Sequence, residues 1–470
     1  MNRLLARVRM PTLVDLSRYI WFFAAAGYVT VLTASAAFLS WDFWAALVFA
    51  PILFAVTIPL IKRGLRKEHD PRIGRIVILA FVAKMLGAVG RYILTYGLYE
   101  RADAEAYHIS GTALAEAFWD GRWAQVVPIE VPELSGTPFV NLVTGLLYIL
   151  TGPTKLGGFV VFAWLSFLGL FFFYKALVVG YPEANHRRYA YLVFFLPSML
   201  YWPSSIGKEA WISFGLGLSS YGIALIMRHQ PIGYIVATLG LLATAGPRPH
   251  ITVLCVVSLM MAYTLRRKSW SDSTMGPVGK VVGIVILLGV GVVVTAKAAS
   301  FFEVDGVSGD SVSEVFDYTD QQSGQGGSEF EAVRVKSPTE FPAAVLAVLF
   351  RPWPWEANSA QALIASAEGT MLLILGVASF SRLLRLPKLI FQVPYVAYVV
   401  TYTIMFVIAF SSIGNFGILT RQRTQVLPLV VVLLALPAEA ARSKVPAPTP
   451  TLEERTRALA RSAGPGYAAG

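Results

Sequence analysis

Charge is scarce in this chain. Asp, Glu, Lys and Arg together make up 14% of its 470 residues, against roughly 25% in a soluble domain, so an ordinary water-exposed composition is excluded. Cysteine is nearly absent: Cys255 stands alone in an apolar stretch, which rules out an intrachain disulfide and leaves the redox compartment open. There is no internal repeat. Behind the basic start MNRLLARVRM no small-residue cleavage site follows a short apolar core, so the N-terminus is expected to be retained. Lys and Arg are not gathered on a soluble module, which argues against nucleic acid despite a formal net charge of +11.

What the chain has is apolar sequence, 56% of it, in long blocks. Runs near the ~20 residues that cross hydrocarbon fall at 19–39, 44–61, 76–98, 158–179, 189–205, 210–227, 231–246, 250–265, 278–298, 361–380, 389–410 and 424–437. The expected fold class is therefore all-α: a polytopic transmembrane helical bundle of about twelve spans, with extracytoplasmic loops carrying short helices. The stretch 139–151, FVNLVTGLLYILT, is short for a crossing and holds Asn141 and Gly145, so it is expected to be re-entrant or surface-lying. With that stretch left out, the basic clusters at the N-terminus and at 62–67, 186–188, 227–229, 265–268, 381–388 and 441–444 all fall on one side. The positive-inside rule makes that side cytoplasmic, and the expected location is the plasma membrane, as a multi-pass chain.

Polar segments 99–157, 204–210, 246–250, 299–360 and 411–423 then lie outside. The first opens with RADAEAYHISGTALAEAFWDG, whose Asp103 and Glu105 are paired two residues apart. The long loop 299–360 is acidic and rich in Gly and Ser before it turns into FPAAVLAVLFRPWPWE, where Trp353 and Trp355 suit the interface belt. The tail 438–470 is rich in Pro and Ala and is expected to be a flexible cytosolic end, as the basic segment 1–18 is a cytosolic start.

Charges beside or within spans are costly and ask for a reason. Lys84 and Arg91, seven residues apart, share a helix face; they either snorkel and pair internally or form a positive stripe beneath the outer segment. Lys208 and Glu209 open an outer helix end but diverge by about 100°, so they need not pair with each other. Arg248 and His250 sit in the Pro-rich turn GPRPH, and Arg351, Arg421 and Arg423 add cations to a face where cations are normally depleted. That surplus suits an anionic ligand such as a lipid-linked phosphate or pyrophosphate, which Arg grips bidentately. Asp103 and Glu105 are candidates for a general base toward a sugar hydroxyl, or for ligands of a divalent metal, Mg or Mn; Asp103 as a simple helix N-cap is the structural alternative.

These residues also carry a resemblance. Asp103, Ala104, Tyr107, His108, Gly111, Leu114 and Gly121 resemble the first outer loop of GT-C superfamily glycosyltransferases, the polytopic enzymes that use polyprenyl-phosphate sugars. Residues 136–152 are similar to the hairpin of the dolichyl-phosphate-mannose type, 196–225 to the segment where an acidic residue, here Glu209, opens an outer helix, and 246–261 to the next turn, where Arg248 matches a basic position. The resemblance spans roughly the first 265 residues. It implies a GT-C-like transmembrane core over 19–298 including the outer loop 99–157, then C-terminal helices over 361–437. It also implies inverting transfer of a sugar from a polyprenyl-phosphate donor to an envelope glycan or lipid acceptor, with Asp103 as base. The loop reads D-A-E, not D-D or D-E, which leaves the base open between Asp103 and Glu105, and Lys208 stands where Arg is usual. Tyr107 and His108 belong to the substrate-binding candidates with Lys208, Glu209, Arg248, His250, Arg351, Arg421 and Arg423. FRPWPWEAN and NFGILTRQR resemble, more loosely, polysaccharide polymerases and ligases that use polyprenyl-pyrophosphate glycans. Two other classes compete: a lipid-linked sugar transporter or flippase, for which broken mid-membrane helices and repeated halves are the expected marks, neither of them evident in the sequence, and a non-catalytic scaffold, which has no need of acids aligned with cations.

Overall fold

A computed structural model describes residues 13–38, 40–66, 68, 70–98, 103–122, 135–265, 329–335 and 337–437. The described chain is all-helical, and its only β-like feature there is the isolated bridge between Glu329 and Asn415. The expected span 278–298, the acidic part of the long loop up to 328 and the tail 438–470 lie outside the described residues.

The N-terminal part builds α1 (Leu13–Phe38), α2 (Trp41–Gly64), α3 (Pro71–Leu98) and α4 (Asp103–Trp119). Proline at the first position of α3 has no N–H to leave unsatisfied, and Asp70 Oδ1 accepts from the Arg72 N–H at 3.0 Å. Next come α5 (Thr137–Thr151), α6 (Lys155–Gly180), α7 (His186–Phe195), α8 (Pro197–Tyr201), α9 (Lys208–Met227), α10 (Ile232–Ala245) and α11 (Pro249–Leu265). The C-terminal part holds α12 (Phe341–Phe350), α13 (Ala360–Ala378), α14 (Phe380–Leu383), α15 (Leu386–Gln392), α16 (Pro394–Phe410), α17 (Phe416–Arg423) and α18 (Leu427–Leu434).

Among the described residues, five helices are long and apolar enough to cross a membrane: Trp41–Gly64, Pro71–Gly97, Lys155–Gly180, Lys208–Met227 and Ala360–Ala378. Shorter apolar helices of 10–17 residues, α5, α10, α11, α12 and α16 among them, make up much of the remaining apolar sequence. Three expected spans differ in form, one of them the run 389–410, which is divided at Val393 between α15 and α16. The run 424–437 supplies only the eight-residue α18. The run 189–205 is divided, because Pro197 ends α7 at Phe195 and starts α8, and residues 202–207 are not helical. Polar groups freed at this break are satisfied by buried side chains. Ser198 donates its N–H and hydroxyl to the two Glu368 oxygens at 2.7 and 2.6 Å, and Lys84 Nζ donates to the Met199 carbonyl at 2.5 Å.

α6 is the central post. Its Phe159, Phe162, Phe167, Phe173 and Tyr174 are fully buried, and α9 lies against it so closely that a Cβ on Gly217 would collide with the Gly169 carbonyl. α10 meets α9 in the same way, Gly240 facing the Ser219 backbone. Large apolar side chains such as Leu79, Leu86, Leu150, Ile374 and Val377 are exposed, as a lipid-facing surface requires.

Helix length sets where the polar ends go. α3 has 28 residues, about 42 Å at 1.5 Å per residue, and it separates Asp70 from Asp103. α6 runs antiparallel beside it: Lys155 meets Glu105 at 2.9 Å near one end, and the Tyr174 hydroxyl meets Glu68 at 2.5 Å near the other. The bundle therefore has an Asp103 end and an Asp70 end.

Candidate functional site: a carboxylate and guanidinium cluster at the Asp103 end

Four separate pieces of chain meet at Asp103: the starts of α4 and α9, the turn into α11, and α17. α4 begins there, so Asp103 and Glu105 occupy its first turn, where a negative side chain faces the positive end of the helix dipole. Gly111 lets α4 lie against α5, since a Cβ there would come within 2.5 Å of Thr144 Cγ2. The start of α5 is tied to the turn before α11 by the Gly136 N–H, which donates to the Gly246 carbonyl at 3.0 Å, and this sets the position of Arg248. α17 arrives from the far end of the sequence, capped by the Asn415 side chain on the Ile418 N–H at 3.1 Å and stacked through Phe416 on Phe330 with ring centroids 4.3 Å apart.

The cluster is built around Glu209 and Arg421. Glu209 is 5% exposed, and its Oε1 accepts from Arg421 Nε at 2.6 Å and Arg248 Nη2 at 3.0 Å. Arg421 Nη1 also donates to Asp103 Oδ2 at 2.7 Å. Arg248 Nη1 donates to the Gln422 side-chain carbonyl. Burial alone would lower the Arg421 pKa, but the Glu209 and Asp103 charges outweigh it and hold the guanidinium protonated. Tyr107, buried below them, is pushed up to about 12 by burial and by the Glu209 and Asp103 charges.

Lys208 changes the balance. It lies within electrostatic reach of Arg248, Glu209, Arg421 and Asp103, yet it makes no hydrogen bond or ion pair among the described residues. Three cations therefore face two carboxylates. The Asp103 side chain is 61% exposed, so the excess positive charge borders a carboxylate that solvent can reach.

Other sequence candidates fall differently. His250 is part-buried in the first turn of α11, near Arg248 and Lys208, with its ring tilted on Phe410 at 6.3 Å. Arg351 is committed to Glu356 at 2.6 Å and lies over the Phe330 ring at 4.3 Å. Arg423, two positions after Arg421 and so about 200° around the helix, turns inward instead: Nε donates to the Val348 carbonyl at 2.9 Å and Nη2 to the Arg351 carbonyl, closing the C-terminal end of α12. Lys84 and Arg91 take the internally paired option. Lys84 donates to Met199, and Arg91 donates to the Tyr201 hydroxyl with its guanidinium 4.4 Å from the Tyr201 ring centre.

Glu105 and Asp103 do not converge. At about 200° apart on α4, they serve two clusters. Glu105 binds Lys155 at 2.9 Å. Burial raises its pKa, but the Lys155 hydrogen bond and charge, with the Tyr96 hydroxyl close by, prevail and hold it below the usual Glu range. His108 shares that side, its Nδ1 2.7 Å from the Tyr148 hydroxyl, and burial lowers its pKa. A Mg or Mn site on Asp103 and Glu105 does not fit this arrangement, because each carboxylate already faces its own cation and, among the described residues, no group of three or more His, Cys, Asp or Glu gathers.

Two participants were not singled out in the sequence. Lys155 sits in the segment 99–157 that the sequence reading expects outside, and the cation surplus that exposed the other basic residues applies to it equally. Gln422 carries no charge, and only its place between Arg421 and Arg423 marks it. No protein-family model matches the chain, and no curated protein or solved structure matches it.

Proposed function

We propose that the protein is a membrane glycosyltransferase that takes a sugar from a polyprenyl-phosphate donor and transfers it to an envelope glycan or lipid acceptor. In this reading the chain is a multi-pass bundle of about twelve spans in the plasma membrane, with the Asp103 end facing outward and the basic loops facing the cytoplasm. The observation that carries it is the excess of cations over carboxylates beside a solvent-accessible Asp103: Lys208, Arg248 and Arg421 against Asp103 and Glu209. A phosphate at the end of a lipid tail supplies the missing negative charge at the depth where these helices end.

The transfer step assigns each group a task. The acceptor hydroxyl oxygen bonds to the anomeric carbon, its proton passes to Asp103, and the anomeric carbon–oxygen bond to phosphate breaks with its electron pair on the leaving phosphate. Lys208 and Arg421 stabilise the charge that gathers there. Glu209 is a positioning residue: buried and doubly bonded, it fixes the Arg421 and Arg248 forks before the donor arrives. A pyrophosphate-linked glycan, as a polymerase or ligase would use, presents the same chemistry to the same cations.

A second reading, transport of a lipid-linked sugar, is favoured by one observation. α7 and α8 form a helix broken at Leu196–Pro197, with the buried side chains of Glu368 and Lys84 bonded to the residues just after the break. Asp103→Asn separates the two. In vesicles given a labelled polyprenyl-phosphate sugar, the variant is expected to bind donor like the parent and to lose transfer by a factor of about 100 or more. Unchanged turnover would refute Asp103 as the base, and movement of the labelled lipid across the bilayer without transfer would favour transport.

A further inference from the structure

At the Asp70 end, a cavity of about 790 Å³ opens between the start of α7 and the end of α13. Its polar lining sets Arg187 and Arg188 beside Glu68 and Asp70, and both carboxylates are already engaged. Glu68 accepts from the Tyr174 hydroxyl at 2.5 Å and lies 3.2 Å from His186 Nδ1, while Asp70 is held by Arg187 at 2.6 Å. Arg188 has no carboxylate among the described residues: its Nη2 donates to the neutral Ser379 hydroxyl at 2.9 Å, and Arg382 stands near enough to repel it. The lining beside Arg188 is apolar: the half-exposed Tyr191 and Leu192, one turn further along α7, and Leu375 of α13. In the same stretch of sequence as Leu375, Ile374, Val377 and Phe380 are 62, 69 and 60% exposed along α13 and α14.

A cavity holding an arginine without a carboxylate partner, with exposed apolar side chains nearby on α13 and α14, suits a ligand with an anionic head and an acyl chain. We propose that this cavity binds the phosphate of an anionic phospholipid from the leaflet at the basic end, with Arg188 and Arg382 as the phosphate grips and its chain laid along α13. Arg188 on the cavity lining and Arg382 near it, neither with a carboxylate partner among the described residues, repel each other until an anion sits between them. This site stands apart from the sugar-transfer reading, since the length of α3 separates the two ends of the bundle.

Native mass spectrometry of the full chain in detergent tests it, with phosphatidylglycerol and phosphatidylcholine of identical acyl chains as probes. Phosphatidylglycerol adducts are expected to exceed phosphatidylcholine adducts by about tenfold, and Arg188→Gln and Arg382→Gln each to reduce the excess by about tenfold, the scale of one charge-assisted hydrogen bond. Arg188→Lys is expected to retain most of it, because a point charge still serves a phosphate. Equal binding of the two lipids, or undiminished phosphatidylglycerol binding in both Gln variants, would overturn the proposal. Displacement of bound phosphatidylglycerol by millimolar glycerol 3-phosphate would assign the cavity to a soluble phosphate and overturn the lipid assignment. Should Arg188→Gln fail to fold, the Arg382→Gln variant and the lipid ratio of the parent still decide.

Discussion

Arg421 joins two carboxylates from different helices, its Nη1 2.7 Å from Asp103 Oδ2 and its Nε 2.6 Å from Glu209 Oε1. The Asp103 contact spans 318 residues of sequence, so it closes the last third of the chain over the segment that opens at α4. The two ends of the bridge differ in surroundings. Glu209 is buried and its bond is shielded, whereas Asp103 is mostly exposed and its bond competes with water and with any arriving anion. Arg421 is thus fixed from within and open to exchange from outside.

Glu209 should be far more costly to lose than Asp103. Glu209→Gln leaves the buried Arg248 without its carboxylate, which costs about 3–5 kcal/mol. Adding Arg248→Met removes the stranded charge, so the double variant is expected to lose less stability than the sum of the single ones. Thermal melts of the four proteins in one detergent check this; simple additivity would show that the pair is not coupled.

Arg423 is expected to behave as a structural residue. Arg423→Leu leaves the Val348 and Arg351 carbonyls without their donor, each worth about 1–3 kcal/mol when buried. Melting temperature should fall while the folded fraction keeps its co-purified lipid. Loss of lipid from protein that melts like the parent would instead make Arg423 a phosphate grip.

The Glu105–Lys155 pair sets a pH dependence with a definite sign. Glu105 titrates lower in the folded protein than in the unfolded chain, so its contribution is complete above the unfolded value of about 4.3 and is lost as pH falls through the lower folded value. Lys155→Met removes the main partner and leaves burial to raise the Glu105 pKa. The melting-temperature gap between parent and variant is therefore expected to widen as pH rises from about 3 to about 6. A gap independent of pH would mean that the pair contributes nothing through Glu105 ionisation.

Much of the framework was legible because apolar length is a strong signal: the runs 44–61, 76–98, 158–179, 210–227 and 361–380 lie within or largely overlap α2, α3, α6, α9 and α13. The 189–205 run was read by its hydrophobicity, which does not register that Pro197 withholds a donor and divides the helix. Asp103, Glu209, Arg248 and Arg421 stood out because charge on an apolar chain is conspicuous, and the fold brings these four together. Direction was not legible. Arg421 and Arg423 look equivalent in TRQR, yet two helical steps turn one toward Asp103 and the other toward the α12 carbonyls. D-A-E likewise suggests a carboxylate pair, and the same two steps send Glu105 to Lys155.

The lipid that accompanies the protein tests the central claim most directly. Lipids extracted from the purified parent and from Lys208→Met and Arg421→Lys variants would be compared by mass spectrometry. The expected result is a polyprenyl phosphate or its sugar conjugate in the parent, reduced by about tenfold when Lys208 loses its charge and less affected when Arg421 keeps it. A parent carrying no polyprenyl species after incubation with the donor lipid, or one whose retention ignores Lys208, would contradict a phosphate-binding site at the Asp103 end.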